Sequence, residues 1–233
     1  MSITDNLAQT KQGIQRVALA QGRDPAPICL MAVSKTFGAE AVIEAADAGQ
    51  RAFGENYLQE AVDKQQAVKS LRPDLILEWH FIGPIQSNKT RPIAEHFDWA
   101  HTVDREKIAR RLSEQRPAHM GPLNICLQVN VSGEASKSGI APDDVLSLAQ
   151  AVSALPNIRL RGLMVIPEAA DDFDDQRKPF AQLRELQLQL ARAGIATDTL
   201  SMGMSADMAA AIAEGATIVR IGTAIFGKRD YGE

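Results

Sequence analysis

The strongest constraint on the fold is an alternation: short apolar runs of strand length recur along the chain, each followed by a segment whose apolar residues repeat at helical spacing. The first is Ile28-Cys-Leu-Met-Ala-Val-Ser-Lys35-Thr36. It is nearly continuous in apolar residues, as a parallel strand covered on both faces must be, and it ends abruptly in a lysine. A helix over Ala39 to Ala48, closed by Gly49, follows, and then a short strand, Arg51-Ala-Phe-Gly54, which leads into Glu55-Asn56-Tyr57. The stripe Tyr57, Leu58, Ala61, Val62 and Gln65 marks the next helix. Ile76 to Ile82 reads as a third strand, stopped by Gly83-Pro84, with Ser87 capping a short helix before Pro92. Trp99 to Val103 is a fourth strand, followed by a helix that carries Ile108 and Leu112. Leu123 to Val131 is a fifth, and Pro142 suits the first turn of the helix after it, striped by Val145, Leu148, Ala149 and Val152. The sixth strand spans Ile158 to Ile166, and Phe180, Leu183, Leu186 and Leu190 mark a long helix closed by Gly194. The seventh, Thr197 to Ser201, precedes a helix from Ser205 to Ala213; the eighth is Thr217 to Ile221.

Eight such units in 233 residues predict a single closed (β/α)8 barrel domain over residues 1–233, preceded by an extra amphipathic N-terminal helix. A flavodoxin-like open sheet is the alternative, but it usually needs only five or six strands. The formal charge of -4 and the mixing of both signs argue against a nucleic-acid surface or an anionic-membrane surface. The two cysteines, Cys29 and Cys126, both fall inside apolar runs and suggest neither a disulfide framework nor a metal site. Met1 to Gln21 lacks a continuous apolar core of the kind an export signal carries, so a soluble, cytoplasmic protein is expected. The acidic cluster Asp171, Asp172, Asp174 and Asp175 reads more simply as a solvated loop after strand six than as a cation site.

Lys35 stands where parallel α/β folds place their chemistry, at the carboxyl end of a buried strand. Taken alone, it is equally well a lysine whose stem packs over apolar surface and whose head reaches water. Two late segments, Leu200-Ser-Met-Gly-Met-Ser205 and Val219-Arg-Ile-Gly-Thr223, carry more glycine and hydroxyl groups than strand-helix turns require. Loops after strands seven and eight of such barrels commonly hold phosphate, and Ser205 at a helix terminus, with Gly222 and Thr223 opposite, would supply hydroxyl and amide donors. Arg220 lies inside the last strand, and a guanidinium there stays charged and needs a partner. That partner is either a buried carboxylate such as Glu55 or a ligand. The functional reading sets Lys35, Arg220 and the cup around a molecule that carries an aldehyde, a ring acceptor and a phosphate, which describes pyridoxal 5'-phosphate. Burial beside a second cation would lower the lysine pKa below its free value of about 10.4 and favour condensation.

The chain resembles the pyridoxal phosphate homeostasis family, whose barrel is similar to the N-terminal domain of alanine racemase. The matching segments run from end to end: Ala32-Val-Ser-Lys35, Phe53-Gly-Glu-Asn-Tyr57, Trp79-His-Phe-Ile-Gly-Pro84 with Gln86-Ser-Asn-Lys-Thr90, Gln128-Val-Asn130, Ser136-Lys-Ser-Gly139, Leu200 to Ser205, and Val219 to Phe226. The resemblance implies Lys35 as the Schiff-base lysine and Arg220 as the partner of the pyridine nitrogen. It also implies a phosphate held by Ser205, Gly222 and Thr223, with Ser201 and Asn56 lining the pocket. A permanently charged donor leaves the pyridine nitrogen unprotonated, so this site should stabilise carbanions poorly.

Three functions follow. The resemblance implies a non-enzymatic carrier or buffer of the cofactor that serves apo-enzymes as recipients; a monomer is expected separately, from the lack of the racemase dimerisation domain. A small racemase-like enzyme would need an acid/base group opposite the lysine, and neither Tyr57 nor Tyr231 is an obvious one. A cofactor-free aldolase would use the lysine and the cup but leave Arg220 without a task. His80 reads as a hydrogen-bonded structural histidine more simply than as a pocket group, and Lys137 as a loop lysine that assists anion entry. His96, His101 and His119 show no ligand spacing.

Overall fold

The computed structural model describes residues 2–133 and 138–228. After helix α1 (Ile3–Ala20) the alternation runs β1 (Cys29–Val33), α2 (Ala39–Asp47), β2 (Ala52–Glu55), α3 (Leu58–Leu71), β3 (Glu78–Phe81), α4 (Thr90–His96), β4 (Trp99–Val103) and α5 (Glu106–Gln115). It continues with β5 (Leu123–Gln128), α6 (Val145–Ser153), β6 (Ile158–Met164), α7 (Phe173–Arg192), β7 (Thr199–Ser201), α8 (Met208–Ala213), β8 (Ile218–Ile221) and the one-turn α9 (Thr223–Phe226). The strands pair in parallel in sequence order, and β8 closes on β1 with Met31 opposite Arg220 and Ala32 opposite Ile221. This is the expected (β/α)8 barrel, and it excludes the open sheet.

Closure gives each strand two buried faces, and side chains alternate between them. Met31, Val33, Ile82, Trp99, Cys126, Met164 and Ile218 form a cluster inside the barrel, separate from the larger core between sheet and helices. β2 contributes Gly54 to this interior because there is no room for more: a Cβ would lie 2.6 Å from Met31 Sδ. On the same alternation His80, His101, Ser201 and Arg220 also face inward, two residues along from Glu78, Trp99, Thr199 and Ile218. The barrel therefore carries a buried polar tier near its carboxyl end.

Several strands are shorter than their apolar runs, although β4 matches its run from Trp99 to Val103. Pairing needs a neighbour on each side, so the ring of strands trims the segments: Ile76, read as strand, is 87% exposed, and β7 begins two residues after Thr197. The reading of the acidic cluster is corrected in part. α7 begins at Phe173, well before its apolar stripe and with Pro179 inside it; Asp172 is its N-cap, accepting from the Asp174 and Asp175 amides. Negative charge at that helix end complements the partial positive charge of the exposed amides, so Asp172, Asp174 and Asp175 serve the helix, while Asp171 stays in the exposed loop before it. No helix among the described residues is long and apolar enough to cross a membrane.

Candidate functional site

Lys35 follows β1 by two residues, and its backbone is held on both sides. Before it, the Ser34 amide donates to Gly54 O (3.0 Å) and the Ser34 hydroxyl to Glu55 Oε1 (2.6 Å). After it, Thr36 adopts a left-handed conformation (φ 69°), rare for a β-branched residue, and its amide donates to Glu60 Oε1 (2.6 Å). One side chain ties the two halves together. Lys64, buried on α3, donates to Ser34 O (2.8 Å), Glu55 Oε1 (2.7 Å) and Glu60 Oε1 (2.9 Å), which uses all three ammonium hydrogens. Burial pushes the Glu55 carboxyl above its ordinary pKa, while Lys64 and Ser34 pull it back.

Arg220 is 4% exposed and does not pair with Glu55, which corrects that sequence alternative. Glu55 points to the helix layer and is engaged by Lys64, whereas Arg220 points into the barrel. Its guanidinium donates to Ser201 Oγ (2.9 Å) and Val165 O (2.9 Å), both uncharged oxygens. Burial lowers its pKa to about 10, and Asp207 and Cys126 oppose the shift at longer range. Because β8 pairs with β1, Lys35 and the segment Gly222-Thr223 lie past the carboxyl ends of neighbouring strands. Thr223 is exposed at the first position of α9, after Gly222 as N-cap.

Ser205 is exposed but does not start a helix. α8 begins at Met208, and the turn before it is closed by Asp207, whose carboxylate accepts from the Met204 amide (2.6 Å). The Arg220 amide donates to Gly203 O (2.9 Å), which fastens this turn to β8. Gly203 has a left-handed φ of 98°, and a Cβ there would meet that of Ala211 at 2.6 Å, so this turn requires glycine. Asn56, just beyond β2, is half-buried, and its Oδ1 is buried without a hydrogen-bond partner. Gly83 packs on its backbone: a Cβ at Gly83 would lie 2.1 Å from Asn56 O. Ser201 is fully buried beneath Arg220 rather than open to the mouth.

His80 is structural in the sense expected, and it has a partner that spacing did not reveal. Its Nδ1 lies 2.8 Å from His101 Nε2 and its Nε2 lies 2.7 Å from Glu78 Oε1, while His101 Nδ1 lies 2.8 Å from Ser201 Oγ. Burial, reinforced by His80 and Arg220, holds the His101 pKa well below its ordinary value of 6.5. Tyr57 is the exposed N-cap residue of α3, whereas Lys137 and Tyr231 lie outside the described residues. Cys29 and Cys126 are free thiols pushed up to about 11 and about 12, mainly by burial. Among the described residues there is no cluster of metal-ligating side chains. A cavity of about 560 Å³ at the opposite mouth is lined by strand starts, including Cys29, Ala52 and Glu78.

Sequence reasoning missed Lys64, Glu60, His101 and Glu78. Lys64 had a signal: it shares one helical face with Ala61 and Val68, a lysine on a core-facing stripe. His80 and His101 had one too, as inward positions of apolar strands.

A barrel of this order, with a lysine beyond β1 and an arginine inside β8, has the fold of the alanine racemase N-terminal domain, and residues 7–230 match the family so described. The chain is 64% identical over 231 residues to the pyridoxal phosphate homeostasis protein of Pseudomonas aeruginosa, covering 99% of this chain and 97% of the relative. It is 55% identical to that of Escherichia coli K12, covering 99% and 98%. The solved structure of PipY from Synechococcus elongatus PCC7942 with PLP bound superposes with a TM-score of 0.83 at 37% identity, covering 97% of this chain and 100% of PipY. An alanine racemase of Corynebacterium glutamicum shares the fold at 18% identity and TM-score 0.70, with 98% of this chain matching 64% of that one. The chain belongs to the pyridoxal phosphate homeostasis protein family.

Proposed function

We propose that this chain, as one domain, binds pyridoxal 5'-phosphate at the carboxyl mouth of its barrel and acts as a carrier or buffer of the cofactor without catalytic turnover. The observation that carries the reading is Arg220: a buried guanidinium, held by two uncharged oxygens, on the strand paired with the one that leads to Lys35. A ring nitrogen acceptor and a phosphate suit this place, and Asn56 brings a buried, unpartnered amide oxygen to the same mouth.

When bound, the cofactor supplies an aldehyde that condenses with a lysine amine and releases one water; addition of water reverses the bond. In this reading Lys35 is the anchoring amine. The clamp by Glu55, Glu60 and Lys64 fixes its backbone, so little ordering is left for binding. Arg220 would engage the ring nitrogen, and Ser205, Gly222 and Thr223 would hold the phosphate, Ser205 from a turn. Ser201 holds Arg220 from beneath. Support for the absence of turnover comes from the buried histidines, each engaged at both ring nitrogens and so not offered as a second acid/base group. A monomer that passes the cofactor to apo-enzymes completes the proposal.

The test is the visible spectrum of the purified protein before and after borohydride reduction, with the modified peptide mapped. Yellow colour that borohydride discharges, with the reduced cofactor adduct mapped to Lys35 and no turnover of amino acids, is the expected result. A protein that stays colourless and unmodified after incubation with pyridoxal phosphate overturns the reading.

A further inference from the structure

With Glu78 added, the polar tier inside the barrel becomes an unbroken series from one mouth to the other. Glu78 opens on the cavity at the amino-terminal mouth, and Arg220 lies beneath the carboxyl mouth. Between them stand His80, His101 and Ser201, all fully buried. The links measure 2.7, 2.8, 2.8 and 2.9 Å. Trp99 stacks on His80 at 5.3 Å and 14°. Only the Glu78 end is half-exposed.

The chemistry of the ends restricts the middle. A guanidinium only donates, so Ser201 Oγ accepts from Arg220; a carboxylate only accepts, so His80 Nε2 donates to Glu78. We propose that these residues form a directional hydrogen-bonded wire, set by Glu78, in which both histidines carry their hydrogen on Nε2 and the Ser201 hydroxyl donates to His101 Nδ1. With His80 Nδ1 accepting from His101 Nε2, every group is satisfied with neutral rings and no atom is orphaned. Ser201 is then a positioning residue: its hydrogen is committed downward, and its oxygen remains an acceptor for Arg220. The bond to His80 keeps the Glu78 carboxyl below its ordinary pKa, consistent with an anionic terminus, and the depressed pKa of His101 is consistent with a neutral ring. The opposite direction needs an additional proton on His80 or on Glu78. Other charged or titratable groups around the wire are Cys29 beside Glu78, Asp98 ahead of β4, Cys126 on β5 and Arg161, whose guanidinium lies 4.6 Å from the Trp99 ring centroid. The relevance of the wire to the pyridine nitrogen rests on the cofactor reading; the wire itself does not.

The experiment is a long-range proton–nitrogen correlation spectrum of cofactor-free protein labelled with 15N-histidine, at neutral pH. With four histidines in the chain, His96→Gln and His119→Gln identify the buried pair by elimination. Both buried rings are expected to show a protonated Nε2 and a bare Nδ1; a hydrogen on Nδ1 of either overturns the proposal. Glu78→Met should shift the tautomer ratio at His101 by about tenfold, the worth of one charge-assisted hydrogen bond, although the two residues do not touch. An unchanged ratio at His101 overturns control by Glu78. Should that variant fail to fold, the wild-type tautomers decide the question. Because no cofactor is present, failure of the wire is distinguishable from failure of the cofactor reading.

Discussion

Lys64→Met tests the clamp on Lys35. The substitution keeps the stem and removes three hydrogen bonds, to Ser34 O, Glu55 Oε1 and Glu60 Oε1. The losses are unequal. Ser34 O still accepts from the Phe37 amide at 3.1 Å, and Glu60, with a side chain 34% exposed, can turn to water. Glu55 is fully buried and keeps only the Ser34 hydroxyl, so the cost concentrates there. Removing one partner of a buried pair typically costs about 3–5 kcal/mol, because a charge remains uncompensated. The double variant Lys64→Met/Glu55→Gln removes that charge and should recover most of the loss, leaving about 1–2 kcal/mol for the missing hydrogen bonds. The pH dependence has a definite sign. Burial without Lys64 raises the folded pKa of Glu55 above its unfolded value, so the folded state holds the extra proton. The penalty is therefore small in acid and grows as pH rises through the raised value. Urea denaturation of wild type, single and double variants at several pH values measures all of this. If single and double variants agree within about 0.5 kcal/mol at neutral pH, the energetics assigned to Glu55 are wrong.

Lys35→Ala should abolish the aldimine absorption of the loaded protein while equilibrium dialysis still detects weaker cofactor binding; an unchanged aldimine band would remove Lys35 as the anchor. Arg220→Ala should weaken cofactor binding by about tenfold or more, the worth of one charged hydrogen bond, with an intact thermal transition in the cofactor-free protein. A collapsed transition would assign Arg220 to stability instead. His101 has a depressed folded pKa, so as pH falls below about 6.5 the unfolded chain takes up a proton that the folded chain refuses, and stability drops by about 1.4 kcal/mol per pH unit. His101→Asn should lack this slope in urea titrations, and equal slopes in both proteins would refute it. Thr36→Gly should relieve the left-handed strain and stabilise the protein by about 1 kcal/mol in the same assay; a loss of stability would show that its side chain matters more than its backbone.

Local pattern carries what repeats or stands at a strand end. Eight apolar runs alternating with helical stripes specify a barrel, because closure is the arrangement that covers both faces of every strand. Lys35 and Arg220 were legible because charge inside or at the end of an apolar run needs a reason. Which groups meet depends on the closed barrel. Glu55 and Arg220 each need a partner, and sequence allowed them to pair; the pleat sends Glu55 outward to Lys64 and Arg220 inward to Ser201. Ser205 reads as a helix cap until Asp207 is seen to close the turn and start α8 later. His80 and His101 are 21 residues apart, and Ser201 lies 100 residues beyond His101. Local periodicity shows only that each faces the barrel axis; the register between strands sets their height along that axis, and height decides whether two inward polar groups bond or miss.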